Sequence, residues 1–167
     1  ATVSIDDPYI NLFVSNVSFG DISEGEVVNS TSNIEFDIAH DVPDGYNAGF
    51  DILFFSDENQ WEGNFNITIH APILTVSNPS FIDTNGDAVW DAGEEITIVL
   101  LLNNEGSADH FNYPGVGLME YSTDAQIPDD GEYFWLYGII AGESTPVEFS
   151  VTASEDANMG TEVTFTA

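Results

Sequence analysis

Apolar and polar residues alternate along most hydrophobic runs of this chain, and that two-residue period constrains its fold more than any other feature. In IEFDI (34–38), the isoleucines and the phenylalanine share one face of an extended strand. The same period recurs in FNITIH (65–70), VEFSV (147–151) and TEVTFT (161–166), whereas no segment of helical length repeats at 3.6 residues. The alternation predicts an all-β protein built from antiparallel β-sandwiches.

One run departs from alternation, and four turn signals separate the strands. EITIVLLL (95–102) is apolar on both faces and is typical of a central strand that is fully buried. Glycine-rich or proline-rich turns are predicted at PDG from Pro43, TNGD from Thr84, PDDG from Pro128 and AGE from Ala141.

The sequence contains an internal repeat, which is shifted relative to the chain ends. The first and second copies match in four pairs of segments, namely 4–7 with 122–125, 19–26 with 137–143, 34–39 with 147–152, and 42–50 with 157–165. The first copy lacks opening strands that precede the second, and the second lacks a counterpart of residues 53–70. We therefore expect two sandwiches, each incomplete at one end: 1–72 with closing strands only, and 73–167 without its last strand.

Between the two copies lies the segment DTNGDAVWDAGE (83–94), which has the spacing of a calcium-binding loop. Positions 1, 3, 5, 7, 9 and 12 of the template fall on Asp83, Asn85, Asp87, Val89, Asp91 and Glu94, with Val89 offering its backbone carbonyl. The template asks for glycine at position 6, where this chain has Ala88. The spacing predicts a calcium site between strands; the alternative is a plain polar turn rich in Asp, Asn and Gly.

The charge of the chain limits its partners. It has no lysine or arginine against 30 Asp and Glu, for a formal charge of -30 in 167 residues. Nucleic acid and anionic membrane surfaces are excluded as partners, because binding either one requires basic side chains. Carboxylate self-repulsion destabilises a compact state unless cations offset it, which favours bound divalent cations. The apolar fraction of 43% indicates a folded chain rather than an acidic tail.

Catalysis has little support in the sequence. The chain contains no nucleophile elbow, phosphate-binding loop or zinc-protease motif, and its histidines, His40, His70 and His110, are far apart. Absence of cysteine excludes disulfides and thiol chemistry. We expect a protein that is not an enzyme.

The calcium-type loop and the segment EITIVLLLNNEGSADHFN (95–112) after it resemble the opening of immunoglobulin-like β-sandwich modules in secreted gingipain-type cysteine peptidases and other Bacteroidetes surface proteins. FGDISEGE (19–26), VPDG (42–45) and ITIHAPIL (67–74) resemble the closing half of such a module. The resemblance implies an immunoglobulin-like fold and a non-catalytic, secreted accessory or adhesive role. A first residue of Ala rather than Met fits a mature secreted protein.

Two functional hypotheses follow from these features. Sandwiches with unpaired edges accept strands from other chains, so the shifted repeat favours a secreted structural subunit. Such a subunit would polymerise head to tail with itself by strand complementation and be stabilised by calcium. The alternative is an adhesive or glycan-binding accessory module in which Trp61, Trp90 and Trp135 stack on sugars. Both hypotheses place the protein outside the cell and without membrane insertion.

Overall fold

The computed structural model describes residues 1–120, 122–127 and 133–167, which form strands, turns and irregular segments without any helix. The prediction of an all-β chain with antiparallel sheets is confirmed. Within the described ranges, no helix could cross a membrane. The turn predicted at Pro128 lies outside the described residues. The chain divides into two compact units, Ala1–Ala71 and Pro72–Ala167, which we call module 1 and module 2.

Module 1 contains five strands: β1 (Thr2–Ser4), β2 (Ile10–Val14), β3 (Glu35–Ile38), β4 (Tyr46–Phe55) and β5 (Gln60–Ile69). One sheet has the order β1-β4-β5 and the other pairs β2 with β3, all antiparallel. The hairpin of β4 and β5 is in register over ten residue pairs, and it forms the longest pairing in this module.

Aromatic side chains fill the core of module 1. Phe50 is fully buried and stacks on Phe65 with ring centroids 5.0 Å apart, and Phe36 of the other sheet lies 5.3 Å from Phe50. Residues 65–69 therefore face the core with their apolar members, as the alternation predicts. Of the predicted strand at residues 34–38, Glu35–Ile38 forms β3, and Ile38 at its end is 46% exposed.

The described residues of module 2 form eight strands: β6 (Leu74–Asp83), β7 (Glu95–Asn104), β8 (Gly115–Gly117), β9 (Met119–Glu120), β10 (Ala125–Gln126), β11 (Tyr133–Trp135), β12 (Ser144–Ala153) and β13 (Phe165–Thr166). A four-stranded antiparallel sheet has the order β10-β12-β7-β6, and β11 pairs with β8 and β13 with β9.

Alternation decides which face of each long strand in module 2 is buried. Val147, Phe149 and Val151 of β12 are each at most 1% exposed, as their pattern predicts. In β7 only one face is buried, whereas Val99 and Leu101 on the other face are half-buried. The prediction that residues 95–102 are buried on both faces is therefore wrong, because the described residues cover the outer face of this strand only in part.

A single buried asparagine organises the turn after β7. Asn104 is 1% exposed, and its side-chain oxygen accepts hydrogen bonds from the backbone N–H groups of Ile73 and Gly106. Its amide nitrogen donates to the carbonyl oxygens of Ala108 and Ile139. The turn at residues 104–107 is thus held to the neighbouring strands by one side chain.

The sequence repeat has a counterpart in strand pairing. The pair β1-β4 of module 1 corresponds to β9-β13 of module 2, and β2-β3 corresponds to β10-β12. Among the described residues, β13 has no partner equivalent to β5, and β3 has no partner equivalent to β7. Of the predicted strand at residues 161–166, only Phe165–Thr166 is extended and paired.

Candidate functional site

The predicted calcium loop joins the edge strand of module 2 to its neighbour. Asp83 is the last residue of β6, and Glu94 immediately precedes β7, so the loop closes a β-hairpin. Asp83 and Glu94 are half-buried, whereas Asn85, Asp87 and Asp91 are exposed. Strand pairing that ends at Asp83 and Ile96 fixes the two ends of the loop.

Consecutive turns in the first half of the loop are held by side-chain oxygens. Asp83 Oδ1 accepts a hydrogen bond of 3.0 Å from the N–H of Asn85, and Asn85 Oδ1 accepts one of 2.9 Å from Asp87. Asp87 Oδ1 in turn accepts one of 2.9 Å from Val89. Asp83 Oδ2 reaches further, to the N–H of Ala88, at 2.7 Å. Three side chains at alternate positions are thereby oriented by the backbone they cap.

Ala88 has the backbone conformation that a calcium loop normally assigns to glycine. Its φ is 63°, in the left-handed region, where a Cβ crowds the following carbonyl. The template has glycine at this sixth position to make a sharp turn. The sequence departs from the template here, but the backbone does not. Gly86 and Gly93, at φ of 81° and 77°, supply the other left-handed positions.

Glu94 holds the last turn of the loop. Glu94 Oε2 accepts a hydrogen bond of 2.9 Å from the N–H of Asp91, and the Glu94 N–H donates to the Asp91 carbonyl at 3.0 Å. The pKa of Asp83 lies below its usual value, chiefly because the N–H of Ala88 hydrogen-bonds to its carboxylate, and the N–H groups of Gly86 and Asn85 lower it further. Asp83 thus orders the first half of the loop, and Glu94 orders its last turn.

The donor set suits a hard cation, but the described carboxylates do not converge on one point. Four acidic side chains, an amide and a backbone carbonyl are the oxygen ligands that calcium takes. Each carboxylate also keeps free lone pairs beyond the hydrogen bonds given above. In the part of the chain that the structure describes, no three His, Asp or Glu side chains form a ready metal cluster. The loop has the right order and turns, while binding would require its exposed members to move inward.

Trp90 connects the loop to the core of module 2. Its Nε1 donates a hydrogen bond of 2.9 Å to the carbonyl oxygen of Glu94, and its ring lies 6.4 Å from that of Phe165 in β13. The indole also packs against the buried cluster of the module. Trp90 therefore contacts both the end of the loop and the strand that carries Phe165.

Beside the loop, an open groove of about 490 Å³ runs between β6 and the segment 163–167. We call it the β6–β13 groove. Its apolar floor and walls are formed by Val76, Phe81, Ile98, Leu100, Leu118, Val163 and Phe165. A second cavity of about 450 Å³ continues from Phe81 and Phe165 to Asp83, Ala88 and Trp90 of the loop.

The groove exists because the core-facing side of β6 is not covered. Val76 pairs with Leu102, and Phe81 with Ile98, so both point to the face on which β7 is buried. Yet Val76 is 38% exposed and Phe81 is 63% exposed. Among the described strands, β6 pairs only with β7, and β13 pairs only with β9. Both sides of the groove therefore present unpaired strand edges.

Other residues singled out in the sequence do not assemble into a site. Trp90 packs in module 2 and Trp135 lies on its surface at 64% exposed, whereas Trp61 belongs to module 1. The sequence carries no signal for the role of Phe81 and Val76, because their exposure depends on tertiary structure.

No protein-family model, curated protein or solved structure matches this chain.

Proposed function

We propose that this protein is a secreted structural subunit that assembles head to tail into a calcium-stabilised filament. In this assembly the β6–β13 groove of one copy accepts a strand from the next copy. The observation that carries the proposal is the exposure of Phe81 on the core-facing side of an edge strand. Completing the burial of that ring would contribute about 1–2 kcal/mol, before any backbone hydrogen bonds are counted.

Module 1 shows what kind of strand fits such a place. There, β5 lies beside β4 and directs Phe65, Ile67 and Ile69 toward the core. The segment 157–165 of module 2 matches 42–50 of module 1 in sequence, so β13 corresponds to β4. We infer that the donated strand alternates apolar and polar residues as β5 does, and that it pairs with β13. A strand donated by a neighbour makes a heterologous contact, which propagates into filaments.

Calcium has a defined role in this proposal. The loop shares Asp83, Ala88 and Trp90 with the cavity that leads into the groove. Trp90 packs against Phe165, which forms part of the groove wall. Binding of calcium by Asp83, Asn85, Asp87, Val89, Asp91 and Glu94 would order the loop and hold Trp90 and Phe165 in place. It would also offset part of the carboxylate repulsion in a chain with charge -30.

The resemblance to immunoglobulin-like modules of secreted peptidases and surface proteins supports an extracellular location and an immunoglobulin-like topology. In such a topology β6, β7, β12 and β10 form one sheet, and β8, β9, β11 and β13 belong to the other. The strand missing from the second sheet in the described residues lies next to β13, where the groove is open.

Two neighbouring residues of β6 provide a matched pair of variants. Phe81→Asp places a charge in the groove, whereas Ile82→Asp places one on the opposite face of the same strand, where Ile82 is 53% exposed. Sedimentation velocity and electron microscopy of the whole chain are compared in calcium and in EGTA. We expect filaments of the parent protein and of Ile82→Asp in calcium, and monomers of Phe81→Asp.

Dispersed monomers of the parent protein across a calcium titration would refute the filament. Filaments that form equally well with Phe81→Asp would locate the contact elsewhere and refute the groove as acceptor. Filaments that are unchanged in EGTA would show that assembly does not depend on calcium.

A further inference from the structure

A strip of exposed aromatic rings on module 2 is independent of both the loop and the groove. Tyr133, Trp135 and Tyr137 lie at alternate positions and are 58%, 64% and 75% exposed. The intervening residues, Phe134 and Leu136, pack against the core. An ordinary half-buried strand carries polar residues on its outer face, whereas β11 carries Tyr133 and Trp135 there, and Tyr137 follows two residues after its end. We call the three exposed residues the aromatic strip.

The partner strand β8 has glycine opposite Tyr133 and opposite Trp135. Trp135 pairs with Gly115, and Tyr133 pairs with Gly117, so neither ring meets an opposing side chain. A Cβ added at Gly115 would lie 2.6 Å from Cε3 of Trp135, which shows that the indole rests on the bare backbone. The indole is therefore supported by β8 and remains 64% exposed.

The rings of the strip form a surface rather than a cage. The planes of Tyr133 and Trp135 are within 23° of each other, with centroids 6.2 Å apart. The N–H of Leu136 donates to the carbonyl of Pro114 and extends the pairing, so that Tyr137 comes to lie beside Tyr113. Three alternate positions on a strand span about 13 Å, which suits a short chain of rings rather than a single small molecule.

Tyr113, at the end of the strip, is held in a strained conformation. Its φ is 49°, a left-handed value that costs a non-glycine residue free energy, and it is 59% exposed. Its ring meets that of Tyr137 edge to face, with centroids 5.7 Å apart. Strained residues of this kind cluster at binding sites, where the surrounding structure maintains a geometry that the ligand requires.

From this geometry we propose that the aromatic strip binds a neutral polysaccharide. The C–H faces of sugar rings stack on flat aromatic faces, and the tyrosine hydroxyls can bond to sugar hydroxyls. Nucleic-acid bases and acidic glycans, which would also stack, are repelled by a chain of charge -30. A compact organic cation is better held by rings that surround it than by the nearly parallel rings of Tyr133 and Trp135.

Titration calorimetry of the whole chain in EGTA tests this proposal separately from filament assembly. The probes are soluble cellohexaose, xylohexaose and mannohexaose, with oligogalacturonate and choline as charged comparisons. The variants are Trp135→Ala and Tyr137→Ala, and the control is Trp61→Ala, which removes an exposed tryptophan from module 1. Circular dichroism melting verifies that each variant is folded.

We expect at least one neutral hexasaccharide to bind, and each strip variant to weaken that binding by about tenfold, which corresponds to one stacking contact. Trp61→Ala should bind as the parent does. The proposal is overturned if none of the three hexasaccharides binds with a Kd below about 1 mM. It is also overturned if Trp61→Ala weakens binding as much as Trp135→Ala, or if only choline or oligogalacturonate binds.

Discussion

Replacing Ala88 by glycine should stabilise module 2, although alanine-to-glycine changes usually destabilise proteins. Ala88 has a φ of 63°, and its N–H donates to Asp83 Oδ2 at 2.7 Å. Glycine keeps that N–H and adopts the left-handed conformation without steric cost. The change therefore relieves backbone strain and leaves the hydrogen bonds of the loop in place.

The expected gain is a difference of two known effects. The left-handed conformation destabilises a folded protein by about 1–2 kcal/mol when an L-residue adopts it. Glycine removes this strain, but its larger entropy in the unfolded state lowers stability by about 0.4–1 kcal/mol. The free energy of unfolding should rise by about 0.5–1 kcal/mol, which for a module of this size raises Tm by about 2–8 °C. The gain should be present without calcium, because the strain is present in the loop itself.

Ala92 in the same loop provides the control, because it is exposed and lacks a positive φ. Ala92→Gly should lower stability by about 0.4–1 kcal/mol. A Trp61→Phe background leaves Trp90 and Trp135, both in module 2, as the fluorescent reporters of its unfolding. If Ala88→Gly lowers Tm as Ala92→Gly does, then Ala88 is not held in the left-handed conformation in solution.

Three further predictions rest on single side chains. Asn104→Ala should lower the free energy of unfolding of module 2 by about 2–4 kcal/mol in urea denaturation, since it leaves buried backbone donors and acceptors without partners. A decrease no larger than that caused by alanine at an exposed position would contradict the role of this hydrogen-bond network. Tyr46 donates to Asp7 at 2.7 Å, and this hydrogen bond raises the pKa of the phenol above its usual value of 10.0. The protonated form is favoured in the folded state, so its stabilisation is present below pH 10 and is lost as pH rises beyond the folded-state pKa; Tyr46→Phe should be less stable than the parent near pH 8, with the difference vanishing in alkali. Glu94→Gln should abolish the rise in Tm on adding calcium, whereas Glu148→Gln, the same charge change on an exposed position of β12, should preserve it; equal behaviour of the two variants would argue for nonspecific screening.

The alternation of residues predicted the burial of β12 correctly and the burial of β7 only by half. Alternation shows which residues share a face. Val147, Phe149 and Val151 share the face of β12 that packs on the core, so the pattern predicts their burial correctly. Residues 95–102 are apolar on both faces, but whether the second face is covered depends on what the rest of the chain places there. Val99 and Leu101 remain half-buried because the part of the chain that the structure describes covers them incompletely.

The spacing of the loop marked its two ends but not how the loop is coupled to the rest of the module. Asp83 ends β6 and Glu94 immediately precedes β7, so pairing of these two strands fixes both ends of the hairpin loop. Nothing in the local pattern places Trp90 against Phe165, since that contact joins segments far apart in the chain. The exposure of Phe81 was equally hidden, because it results from a missing neighbour rather than from its own sequence.

In the proposed assembly, the coupling of loop to groove makes calcium binding and strand docking depend on each other. Trp90 contacts both the Glu94 carbonyl and Phe165, so an ordered loop stabilises the groove wall that a donated strand would pair with. Linkage between two binding events is reciprocal, and therefore a docked strand must raise calcium affinity by the same factor by which calcium raises strand affinity. The loop of an unassembled subunit would then bind calcium more weakly than the loop of a subunit inside the filament. For a chain with charge -30, each cation retained in the filament has two effects: it orders the loop of its own subunit and reduces the electrostatic repulsion between adjacent subunits.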